Sequence, residues 1–122
     1  ISTRVGQRLP MFVGALGRCF AAHSPLPKSK IERRFNAARF ARPIEFDEWY
    51  KDVLQVRERG FAVDEGYFSL GITTVAIAIA NGINPPFLAV SAIGISAQIG
   101  AQKLNDLSQE MLNISKMATQ QI

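Results

Sequence analysis

Hydrophobic positions along the chain form one dense centre with periodic stretches on either side. The centre holds two apolar runs, Ile72–Ala80 and Phe87–Gly94, parted by Asn81-Gly82-Ile83-Asn84-Pro85-Pro86. Both have strand length and carry Val and Ile, and the first carries Thr as well. The Asn-Gly and Pro-Pro pairs between them signal a chain reversal, so the pattern predicts two neighbouring strands.

Side chains on a strand alternate between its two faces. In the first run Thr74, Ala76, Ala78 and Ala80 share one face, and Thr73, Val75, Ile77 and Ile79 share the other. In the second, Phe87, Ala89, Ser91 and Ile93 oppose Leu88, Val90, Ala92 and Gly94. Antiparallel pairing that matches the small faces sets Ala78 opposite Ala89 and Ala76 opposite Ser91, whereas a slip of one residue would mix large with small. The Val/Ile/Leu face suits packing under helices. The Ala/Thr/Ser face has two readings: it lets a helix approach closely, or it floors a ligand cavity that is apolar with a few hydroxyls.

The flanks read mainly as helices. Ile1–Val5 resembles a strand end without neighbours, Leu9–Phe12 is an extended approach, and Gly14–Ala22 is a short helix started by Gly14, with Leu16 and Phe20 spaced i,i+4. Pro25-Leu26-Pro27 breaks the chain, and Lys28–Phe40 resumes a helix with Ile31, Phe35 and Ala38 on one face. After Pro43, Phe46–Arg59 places Phe46, Tyr50, Val53, Leu54 and Arg57 at helical spacing, with Glu48, Lys51, Asp52 and Glu58 outside and Gly60 as the left-handed stop. Phe61–Val63 is a short strand followed by Asp64-Glu65-Gly66. The last element, Ala101 to about Gln120, carries Leu104, Leu107, Met111, Ile114 and Met117 on one stripe and is expected to cover the large-residue face. Its near-heptad spacing is too short to argue a coiled coil.

Composition narrows the functional classes. With 122 residues and 48% apolar content the chain is one domain with a single core. No charge occurs from Gly66 to Gln102, but Asn81, Asn84, Pro85 and Pro86 interrupt that stretch. The unbroken runs fall short of the roughly 20 residues of a bilayer helix, so no membrane span is expected, and polar Ile1–Gly6 with Arg4 is no signal peptide. One cysteine, Cys19, excludes an internal disulfide, and His23 alone beside it gives no zinc ligand set. A reducing, cytoplasmic setting and no metal or cofactor are therefore expected. Neither residue makes a nucleophile–base pair, so the chain is not expected to be an enzyme. The net charge of +4 comes from the basic first half, chiefly Lys28 to Arg42, which lacks the interleaved aromatics of an RNA platform and reads as a solvated face.

Two features carry binding chemistry. The free N–H groups of Ala15 and Leu16 at a helix start suit a carboxylate, although water also caps such starts. Asp64 either caps a turn or points into the cavity as an acceptor.

The segments LPMFVGALGRCFAA, VRERGFAVDEGYFSLGITTVA and FLAVSAIG with a long helix after it resemble the effector-binding domain of IclR-type bacterial transcriptional regulators, and the resemblance runs through essentially the whole chain. It implies a GAF-like α/β (α+β) domain: a central antiparallel sheet, helices packed on one face, a ligand pocket on the other, and further N-terminal strands upstream of Ile1. It implies one effector-binding domain over 1–122, with the DNA-binding winged helix-turn-helix outside this chain. The implied partners are a small organic acid, a homodimer or homotetramer, and DNA through that missing N-terminal domain. Carried over by residue, the pocket is Met11, Ala15, Leu16, Asp64, Thr74, Ala76, Ser91 and Ile93. The helix-start amides and Ser91 would take a carboxylate, Asp64 a ligand hydroxyl or a water, and Met11, Thr74, Ala76 and Ile93 would form walls. Ile93 stands where some members that bind very small keto acids carry a second hydroxyl, which favours an aromatic or longer-chain acid. The alternative is a structural dimerisation module whose small-residue face is filled by a packed element.

Overall fold

A computed structural model of the chain describes residues 14–79 and 88–120. Met11, the Ile1–Val5 strand end and the Asn81–Pro86 loop lie outside the described residues. The element order is α1 (Gly14–His23), α2 (Lys28–Ala37), α3 (Phe46–Arg59), β1 (Phe61–Glu65), β2 (Ile72–Ile79), β3 (Leu88–Ile95), a 3-10 turn (Ser96–Gln98) and α4 (Ala101–Gln120).

Helix α3 anchors the core. Asp47 and Glu48 in its first turn and Arg57 and Arg59 in its last complement the helix dipole. It stops at Gly60, whose φ of 88° is left-handed and whose N–H reaches Val56 O at 2.9 Å. Its buried stripe is Phe46, Trp49, Val53 and Val56. The expected stripe through Tyr50, Leu54 and Arg57 is therefore rotated: Leu54 is 42% exposed, and Arg57 is a surface residue whose Nε donates to Ala22 O at 2.7 Å. Trp49 causes the rotation. It is the largest fully buried side chain, and it meets the Phe35 ring at 5.0 Å and the Phe46 ring at 6.0 Å between centroids, so the face that inserts this indole wins. Helix α2 ends at Ala37 rather than Phe40, because Ala38 is extended at ψ 152° and lets Phe40 fold back to 5.2 Å from Phe35.

The sheet is antiparallel in the order β1-β2-β3. Ala76 pairs with Ser91 and Ala78 with Ala89, as the alternation predicts. β1 runs on through Asp64 and Glu65, pairing Asp64 with Thr74 and Ala62 with Ala76. Partners in register share a face, so Ala62, Asp64, Thr74, Ala76, Ser91 and Ile93 all look the same way. On the opposite face α4 packs Leu104, Leu107 and Met111 against Val75, Ile77, Phe61 and Val63, as its stripe implied. Ile114 and Met117 continue that stripe but stay 49% and 62% exposed.

The small-residue face is partly roofed. Ala15, Cys19 and Ala22 of α1 share one core with Ala62 and Ala76, and α3 and α2 stand behind them. Helices thus lie on both faces of the sheet, and the site face contains one of them. After β3 the chain turns tightly: Ser96 N–H donates to Gly71 O at 2.8 Å, and the Ser96 and Thr73 hydroxyls lie 2.7 Å apart. Gly94 allows this turn, since a β-carbon there would collide with Ile99 Cδ1.

Candidate functional site

Two of the expected residues meet directly. Gly14 opens α1 at φ +65°, and the next amide, Ala15 N–H, donates to Thr74 Oγ1 on β2 at 3.3 Å. First-turn amides have no acceptor within their own helix, so a strand hydroxyl takes the place. Leu16 follows in the same turn and is half-buried.

The sheet contributes two adjacent rows, Asp64–Thr74–Ile93 and Ala62–Ala76–Ser91. Strand geometry spaces such rows by about 7 Å and neighbouring strands by about 5 Å, the scale of a small organic acid. Access differs sharply along them. Thr74 and Ser91 are half-buried and Ile93 is 53% exposed, whereas Ala76 is fully covered. Ala76 is thus floor beneath α1, the close-approach reading of a small residue, while the accessible ground lies towards β3.

Asp64 takes the turn-capping role. Its Oδ2 accepts from Phe68 N–H at 3.1 Å and its Oδ1 from Arg18 Nη1, with both side chains buried. Arg18 is the residue that sequence reasoning missed. It sits inside α1, with Nε 2.9 Å from Asp52 Oδ2, and Asp52 also meets Arg59 Nη2 at 3.3 Å. One signal was available: Arg18 is the only formal charge in GALGRCFAAH, a helix otherwise too small and apolar to need it. Charges in such surroundings persist only when paired.

Cys19 is an inert core thiol. Burial pushes its pKa up to about 12, opposed in part by a hydrogen bond from the Ala62 backbone and by the Arg59 charge. His23 Nδ1 lies 3.1 Å from the Cys19 carbonyl, so its contact is with backbone and not with the thiol. Among the described residues no group of His, Cys, Asp or Glu could hold a metal, and no helix is long and apolar enough to cross a membrane. A cleft of about 470 Å³ opens elsewhere, at the outer edge of β1, and none of the expected site residues lines it.

The architecture recurs in solved regulators. An IclR-type transcriptional regulator from Alicyclobacillus acidocaldarius superposes with a TM-score of 0.77 at 28% identity, covering 97% of this chain and 48% of that one. The Agobacterium tumefaciens repressor BlcR shares the fold at a TM-score of 0.76 and 18% identity, covering 98% and 50%. A mixed α+β domain of this shape falls in the class of transcription-regulator C-terminal domains. Residues 1–122 match the family described as bacterial transcriptional regulator IclR C-terminal, and the chain belongs to that family. The transcriptional repressor IclR of Escherichia coli K12 is 26% identical over 98% of the chain. The chain spans 44% of that relative's length and about half of the Alicyclobacillus and Agobacterium regulators.

Proposed function

We propose that this domain senses a small organic acid for its regulator, with the ligand carboxylate at the Ala15 and Leu16 amides and the Thr74 and Ser91 hydroxyls beside it. The observation that carries the reading is the Ala15 N–H to Thr74 Oγ1 bond of 3.3 Å, which brings a helix start onto the hydroxyl-bearing strand. That bond is long for its type, so a carboxylate, a stronger acceptor than a neutral hydroxyl, can replace it. Ile93 supplies an apolar wall, which favours an aromatic or longer-chain acid. Ala76 serves by letting α1 come close. Asp64 acts through Arg18, holding α1 in place, because both its oxygens are already engaged.

In the longer protein the domain would oligomerise as a dimer or tetramer and bias operator binding by an N-terminal domain. The ligand shifts that balance only through unequal affinity for two arrangements of the regulator.

The test is a thermal-shift panel of aliphatic and aromatic carboxylates. At about a hundredfold over its dissociation constant an effector adds about 2.7 kcal/mol, and Thr74→Val and Ser91→Ala should each reduce the shift. If no acid moves the melting of the intact fold, the sensor reading is wrong. The second reading, a dimerisation module without ligand, draws on the complete burial of Ala76 under helices. It predicts a stable oligomer that is indifferent to every acid.

A further inference from the structure

The ladder fixes which backbone groups of β1 are unused. Gly66 N–H donates to Ile72 O at 3.0 Å, and the register pairs Asp64 with Thr74 and Ala62 with Ala76. In an antiparallel pair every second residue turns both its N–H and its C=O towards the neighbour. Ala62 and Asp64 therefore bond β2, while Phe61, Val63 and Glu65 direct theirs to the outer edge. Phe61 O accepts from Arg59 Nε at 2.8 Å. No strand lies beside Val63 and Glu65 among the described residues.

That edge is recessed. The cleft of about 470 Å³ straddles it, with α3 on one side and α4 on the other. The α4 side combines Phe61, Val63, Ala101 and Leu104 with Asn105, Ser108 and Glu65, whereas the α3 side carries Glu48 and Asp52. Charge there is unbalanced in one direction. Arg18 and Arg59 are both engaged by aspartates, and Glu48 and Glu65 have no ionic partner among the described residues. A recess between two helices admits one lone strand. A second copy would bring its own α3 and α4 into the same space.

We propose that the outer edge of β1 is a docking strand for an extended segment of another protein in which basic and apolar residues alternate. Apolar side chains lie towards α4 and basic ones towards Glu48, while the Val63 N–H and C=O continue the sheet into the guest. Exposed edges of this kind pair readily unless blocked, and Pro at such a position blocks them.

The experiment titrates the full chain into a labelled synthetic peptide of alternating lysine and valine, with a glutamate–valine peptide as counterpart, and follows anisotropy. The lysine peptide should bind saturably and more weakly at high salt, and the glutamate peptide should not bind. Val63→Pro removes an outward N–H without touching the β2 ladder and should weaken binding by about tenfold. Glu48→Gln lies on the surface of α3, away from the ladder, and should weaken it similarly, with melting lowered only by the small helix-dipole contribution of its first-turn position. Equal binding of the two peptides, no saturation with either, or indifference to both substitutions would overturn the proposal. So would a concentration-dependent self-association that Val63→Pro abolishes, because the edge would then belong to a second copy.

Discussion

Removing Asp64 isolates the energetic cost of the buried pair that holds α1 to the sheet. The Arg18 and Asp64 side chains are 3% and 2% exposed, so the guanidinium left behind by Asp64→Ala has almost no water to turn to. Stripping one partner from a buried pair costs about 3–5 kcal/mol. Asp52, 28% exposed and 2.9 Å from Arg18 Nε, softens the loss and sets the expectation near the lower limit, about 3 kcal/mol. Against a typical stability of about 5–15 kcal/mol, that is a large fraction. Arg18→Met should cost a similar amount, because it strands a carboxylate whose remaining partner is Phe68 N–H. Combining Arg18→Met with Asp64→Leu removes both desolvation penalties, and the double variant should return to within about 1–2 kcal/mol of the parent. Urea unfolding followed by circular dichroism, with unchanged m-values, measures all three. The reasoning fails if Asp64→Ala loses less than about 1 kcal/mol, or if the double variant shows only the sum of the single losses.

Two further expectations follow from backbone and burial. Gly60→Ala forces a left-handed residue at φ 88° and sets its β-carbon 2.8 Å from Leu112 Cδ1, whereas Gly71→Ala at φ 75° meets nothing within 4 Å. Both lose roughly 1–2 kcal/mol of conformational energy, about 4–8 °C in melting temperature per kcal/mol, and only Gly60→Ala should lose more through crowding. Equal shifts for the two would show that Leu112 yields freely. For Cys19 the folded pKa of about 12 lies above the unfolded value of 9.0, so the protonated thiol is favoured by folding. Its contribution is complete below pH 9 and declines by about 1.4 kcal/mol per pH unit as pH rises towards 12. Comparing parent and Cys19→Ala unfolding across that window tests it, and a difference that does not vary with pH would refute it.

Local rules carried much of the fold. Face alternation was enough to read Ala76 opposite Ser91 and Ala78 opposite Ala89, because a slipped register would mix large and small residues. Gly60 ended α3 and the Leu104–Leu107–Met111 stripe found the large face by the same short-range logic. Apart from element ends such as Ala37 of α2 and Glu65 of β1, the misses were long-range. A period of 3.6 accepts several stripes in α3, and only the aromatic cluster with Phe35 selects the one through Trp49. Alternation showed that Ala76 is small but not what would lie over it, since that depends on where α1 crosses the sheet. The Arg18–Asp64 pair joins residues 46 positions apart, a partnership no local pattern encodes.

The clasp between Thr73 and Ser96, with Ser96 N–H on Gly71 O, bolts the far end of β3 to the beginning of β2. Those strands cannot glide past one another without tearing it open, so the plate carrying Thr74 and Ser91 is stiff. Helix α1 meets that plate in two ways: at its tip through the long Ala15–Thr74 hydrogen bond, and one turn further in through the buried Arg18–Asp64 pair. An acid that took the Ala15 amide from Thr74, as proposed above, would free the helix tip while the charged latch at Arg18 kept the rest of the helix on the sheet.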